Sequence, residues 1–73
     1  MFFSNAKELG ELIKSVRKFQ GLTQAQLAGA SGTGVRFIVD LEKGKPTSEI
    51  EKVLTVTTML GIKLNAEVPG VVK

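Results

Sequence analysis

Val35, Arg36, Val39, Asp40 and Lys43 fall on one side of a helix if residues 35–42 follow a 3.6-residue period. Phe37, Ile38 and Leu41 fall on the other side and face inward. Two valines beside an arginine are an odd choice for a face that only meets water. Against base edges the choice makes sense: apolar groups meet thymine methyls, and an arginine pairs with guanine. The competing reading is that the valines touch another part of the protein and that Arg36 pairs with Asp40 one turn on. Lys43 and Lys45 follow the helix directly, and Arg17 and Lys18 end the helix that precedes residues 21–44.

Catalytic chemistry finds little support. The chain has no Cys and no His, which removes the commonest acid–base catalyst and the usual ligands of a structural metal site. Its seven acidic residues form no recognisable catalytic pair. Glu49 and Glu51 flank a helix start, where carboxylates are favourable in any case. Ser31-Gly32-Thr33-Gly34 is too short for a phosphate-binding loop and lacks its lysine. No catalytic residue, metal or cofactor is expected.

The candidate face needs a rigid support, and residues 21–44 supply the pattern for one. Thr23 is a good N-cap for a short helix over Gln24–Ala30, with Leu27 and Ala28 inward. Ser31–Gly34 break it, because two glycines give the backbone freedom. Val35–Glu42 form the next helix, closed by Gly44. Helix, tight Gly-containing turn, helix is the plan in which a second helix can enter a DNA major groove.

Upstream, Asn5 and Glu8 have capping-box spacing, and Leu9, Leu12, Ile13 and Val16 recur with helical period to about Phe19. Cations at Arg17 and Lys18 suit the helix C-terminus. Downstream, Lys43–Thr47 is a basic loop, and Ser48 with Glu51 has capping-box spacing again. Ile50, Val53, Leu54, Thr57 and Leu60 predict the inward stripe of a fourth helix, stopped at Gly61. Ile62, Leu64, Ala66 and Val68 then alternate with polar residues, which predicts a half-buried strand ended by Pro69-Gly70. A lone strand needs a partner. Either the Phe2-Phe3 segment or the same strand of a second subunit would serve, and a two-fold dimer would satisfy both chains. The organisation is an extended segment over 1–4, a helix-turn-helix domain over 5–61, a dimerisation strand over 62–68 and a tail over 69–73.

At 73 residues the chain is one small domain. A core of this size is marginal by itself, and no disulfide staples it, so dimerisation is a natural way to bury more area. The net charge of +3 and pI of about 9.5 suit a polyanionic partner. The start, MFFSNAKEL, does not read as a secretory signal, and no apolar run is long enough to span a membrane. A soluble, cytoplasmic protein without a membrane partner is expected.

Taken together, Arg17, Gly21-Leu22-Thr23-Gln24, Leu27-Ala28, Gly32, Ile38 and Leu41-Glu42-Lys43-Gly44-Lys45 resemble the phage-repressor (Xre/Cro) helix-turn-helix family over residues 5–61. The short length, Gly44-Lys45-Pro46-Thr47 and the strand pattern after Gly61 look closer to the HipB-type antitoxins. The ordinary family has a fifth helix where this chain has the strand pattern. The resemblance implies an all-α, lambda-repressor-like domain of four helices, with a C-terminal strand pairing across a homodimer. It also implies base contacts from Val35, Arg36 and Val39, and phosphate contacts from Gln24, Lys43 and Lys45. Many relatives carry polar residues where Val35 and Val39 stand. Glu42 would pair with Arg17 inside the domain. The function implied is a repressor of its own operon, bound to a palindromic double-stranded DNA operator, and antitoxin to a HipA-type serine/threonine kinase. An ordinary small repressor without a toxin, or a protein-binding module of a toxin complex, are the alternatives.

Overall fold

A computed structural model describes residues 3–46, 49–66 and 69–70. Its elements are α1 (Ala6–Phe19), α2 (Gln24–Ser31), α3 (Val35–Glu42) and α4 (Ile50–Met59). The fold is all-α. No helix among the described residues is long and apolar enough to cross a membrane.

The helix starts follow local chemistry. Asn5 Oδ1 accepts the Glu8 amide at 2.8 Å. The Glu8 carboxylate reaches one residue further back than a capping box would, and accepts from the Ser4 amide at 2.7 Å. At α2 the box is complete: Thr23 Oγ1 accepts from the Gln26 amide, and Gln26 Oε1 accepts from the Thr23 amide. The reading of Thr23 as cap holds; the returning side chain of Gln26 is an addition. The expected Ser48–Glu51 box at α4 falls partly outside the described residues. Ser48 lies outside the described residues, and the N-cap is Glu49, which takes no side-chain cap bond and pairs with Lys52 at 2.7 Å.

Each of the four helices ends on a glycine, with two backbone bonds that satisfy its last carbonyls. At α3 the Gly44 amide donates to Leu41 O and the Lys45 amide to Asp40 O, at 3.1 and 3.0 Å. Gly44 has φ +85°, a left-handed conformation in which a side chain would be strained. This motif turns the chain sharply and folds Lys45 back onto the end of α3.

The core joins all four helices. Ile13 of α1, Leu27 and Ala28 of α2, Ile38 and Leu41 of α3, and Val53 and Val56 of α4 are buried with Leu60. Leu9, Val16, Leu22, Phe37 and Ile62 pack against them, half-buried. Helix α3 packs against α1 and α2, and α2 packs against α4. The orientation of α4 differs from the predicted stripe. Val53, Val56, Thr57 and Leu60 face inward, whereas Ile50 and Leu54 are 61% and 40% exposed. The buried set has i, i+3, i+4, i+7 spacing, the natural width of one helical face. Thr57 fits because its hydroxyl donates to Leu54 O at 2.9 Å.

The expected C-terminal strand is not seen among the described residues of the single chain. Ile62, Leu64 and Ala66 form no strand, and Val68 lies outside the described residues. A strand exists only by pairing its backbone, and the described residues of the single chain offer this segment no ladder. Phe3 forms no strand, and Phe2 lies outside the described residues. The Ile62 amide instead closes α4 by donating to Thr57 O at 2.9 Å.

Candidate nucleic-acid interface

A buried ion pair fixes the helix that carries the candidate face. Arg17 and Glu42 are 6% and 7% exposed, at the C-terminal ends of α1 and α3. Arg17 Nε donates to Glu42 Oε2 at 2.6 Å and Nη2 to Oε1 at 3.0 Å. The two parallel bonds match the guanidinium fork to the carboxylate. Arg17 Nη1 donates to Leu22 O at 2.7 Å, and Gln24 Nε2 to Glu42 Oε1 at 3.1 Å. One carboxylate thereby joins the end of α1, the loop behind it, the start of α2 and the end of α3. Among the described residues no buried side-chain nitrogen or oxygen lacks a partner.

Two glycines let α3 sit hard against α1. A Cβ on Gly10 would overlap the carbonyl oxygen of Leu41 and lie 2.9 Å from that of Glu42. A Cβ on Gly44 would lie 2.6 Å from Lys7 Cα. Lys7 and Gly10 are three residues apart on α1, so both contacts use one face of it. Sequence reasoning missed Gly10. The available signal was a glycine in mid-helix, which costs about 1 kcal/mol against alanine and so points to a packing need.

With α3 held from behind, its other side is exposed at its N-terminal end and half-buried further along. Val35 is 46% exposed, the Arg36 side chain 87%, and Val39 is half-buried one turn on. Lys43 is exposed at the C-cap of α3. Phe37 turns sideways and is half-buried, with Lys52 Nζ 5.6 Å from its ring centroid. Asp40 lies between two cations: its Oδ1 is 3.4 Å from Arg36 Nε and its Oδ2 is 3.6 Å from Lys45 Nζ. The structure thus gathers Val35, Arg36 and Val39 on one helix face, and Asp40 brings Lys45 to the same face. Gln24 stands at the first turn of α2, half-buried, with its side chain on Glu42 rather than pointing freely outward. Ile62 joins the core, while Leu64 and Ala66 are exposed.

The helix-turn-helix profile HTH_3 matches residues 13–66, well over half of the chain. The chain belongs to the HTH_3 helix-turn-helix family. A relative from Sinorhizobium fredii, named an uncharacterized HTH-type transcriptional regulator, y4mF, is 52% identical over 63 residues, covering 86% of this chain and 83% of its own length. The restriction-modification controller protein C.AhdI from Aeromonas hydrophila superposes with a TM-score of 0.72 at 26% identity, over 80% of this chain and 88% of that one. The clp gene regulator ClgR from C. glutamicum gives 0.70 at 30% identity, over 77% and 72%. As an HTH_3 member the chain is a transcriptional regulator with a helix-turn-helix DNA-binding domain. In this motif the second helix lies in the major groove and its N-terminal residues approach base edges. Here that helix is α3, and its first exposed residues are Val35 and Arg36.

Proposed function

We propose that this protein is a homodimeric repressor that reads a palindromic operator through Val35, Arg36 and Val39, with Gln24, Lys43 and Lys45 on phosphates. The observation that carries it is the pairing of a rigid rear with a free front. Glu42 and Gly10 lock α3 in place, and the opposite face of α3 presents an arginine and two valines. In a two-fold dimer the two copies of α3 enter successive major grooves about 34 Å apart. Exposed Ile50, Leu54 and Leu64 give α4 and the segment after it an apolar surface for a second copy. In the dimer the 62–68 segment pairs with its two-fold mate, which supplies the ladder one chain lacks.

Arg36→Ala is expected to weaken operator binding by about 1–3 kcal/mol and to relax base preference at one position of each half-site. Titration of the operator and of its single-base variants checks this.

The finer role, antitoxin to a HipA-type serine/threonine kinase within its own operon, is supported by the resemblance at Gly44-Lys45-Pro46-Thr47 and at the alternating segment 62–68. Pull-down of the tagged protein from its own cells, with DNA and protein both identified, tests both levels. A HipA-like kinase together with DNA upstream of this gene supports the whole reading. DNA without a kinase overturns the antitoxin role and leaves an ordinary small repressor. A protein partner without DNA, even at low salt, overturns the repressor and leaves a protein-binding module.

A further inference from the structure

The contact between Asp40 and Arg36 has a direction. Asp40 Oδ1 meets the guanidinium at Nε, 3.4 Å away. That is the inner edge of the fork, next to the side-chain stem. At that distance the pair is an ion contact and not a hydrogen bond, and Nη1 and Nη2, the donors that match guanine O6 and N7, make no hydrogen bond among the described residues. A side chain that is 87% exposed has many rotamers to lose on binding, and a carboxylate one turn away reduces that loss. Asp40 itself is only 26% exposed, so it is the less mobile member of the pair. Its second oxygen is 3.6 Å from Lys45 Nζ, and its backbone carbonyl accepts the Lys45 amide at 3.0 Å. Arg36 and Lys45, two of the cations expected to meet DNA, are thus both held by one acidic residue.

We propose that Asp40 is a specificity-determining positioning residue: it holds Arg36 by Nε so that the outer guanidinium edge is offered to guanine, and its charge opposes capture of Arg36 and Lys45 by phosphates of arbitrary sequence. The inference rests on the DNA-reading function proposed above. A carboxylate at this place lowers attraction for every duplex. It also preorganises the one contact that discriminates between them. The two effects have opposite signs on operator DNA and the same sign on random DNA, so the ratio of the two affinities carries the information.

The test uses the full chain. Wild-type protein selects duplexes from a random-sequence library, and the selected duplex and a random duplex are then titrated with wild type, Asp40→Ala and Asp40→Glu over a range of salt. Circular dichroism checks that each variant is folded. Asp40→Ala is expected to bind the random duplex several-fold tighter, with a salt slope steeper by about one counterion. It gains nothing on the selected duplex, so the affinity ratio falls by the same several-fold, and re-selection loses the guanine preference. Asp40→Glu still reaches Arg36 across one turn and keeps that preference. In an Arg36→Ala background, Asp40→Ala no longer changes base preference. Equal tightening on both duplexes, the signature of plain charge repulsion, overturns the proposal, as does no change on either. Failure of the wild type to select any sequence, even at low salt, overturns the DNA-reading function itself and is visible in the wild-type arm alone.

Discussion

Glu42→Ala is expected to cost about 3–5 kcal/mol of folding free energy, the usual penalty for removing one partner of a buried ion pair. The arginine left behind is 6% exposed and cannot recover its hydration. It keeps only the Leu22 carbonyl, and Gln24 loses its acceptor. A domain of this size rarely holds more than about 3–5 kcal/mol in total, so the variant should be largely unfolded at room temperature. Urea denaturation followed by circular dichroism measures this directly, and a change within about 0.5 kcal/mol would place the pair among ordinary surface contacts. The double replacement Arg17→Met with Glu42→Leu separates charge from packing. Buried pairs replaced whole by apolar residues are often neutral or better, so the double variant should regain much of the stability that the single variant loses. It would still lack the tie from Gln24 to α3. DNA affinity should therefore recover less than stability does.

Gly10→Ala is the second large effect, and two contributions compete for its sign. Alanine favours an exposed helix interior over glycine by about 1 kcal/mol. Against that, the new methyl would overlap the Leu41 carbonyl oxygen, and both contacts at this place are with backbone. Backbone of a helix end locked by the Arg17–Glu42 pair cannot move aside as a side-chain tip can. The clash therefore wins, at or beyond the roughly 3 kcal/mol upper end of ordinary overpacking. Part of the strain is relieved by pushing α3 away from α1, so DNA affinity should fall even where the variant remains folded. Thermal denaturation and DNA titration of the same preparation check both parts. An unchanged or raised melting temperature would show that the approach of α3 to α1 is looser than described.

What was legible in the sequence was local. Helix starts at Asn5 and Thr23, glycine stops at Gly21, Gly44 and Gly61, and the two faces of Val35–Glu42 all follow from residues within one or two turns of each other. The candidate face was legible for the same reason, since Val35, Arg36 and Val39 share one helix. The Arg17–Glu42 pair spans 25 residues and was reached through family resemblance, not through spacing. Contacts between elements were not legible. Nothing near Gly10 in the chain announces Leu41 and Glu42 as its neighbours. The sequence IEKVLTVTTM admits more than one inward face because its threonines and valines blur the polar side, so Val56 was missed and Ile50 and Leu54 were placed wrongly. The alternation at 62–68 described what the segment could pair as, which depends on a partner outside the single chain. Spacing alone offers Asp40 as an alternative partner of Arg36; its contact with Lys45 depends on the sharp turn at Gly44.

The account's central claim is that α3 presents the DNA-reading face. The most direct test is titration of the ¹⁵N-labelled full chain with a duplex selected by the wild-type protein, following each backbone amide. The account predicts that the largest shift changes fall at Gln24, Val35, Arg36, Val39, Lys43 and Lys45, and that they fade together as salt is raised. Perturbations confined to α4 and residues 62–66, or no change at low salt, would contradict it.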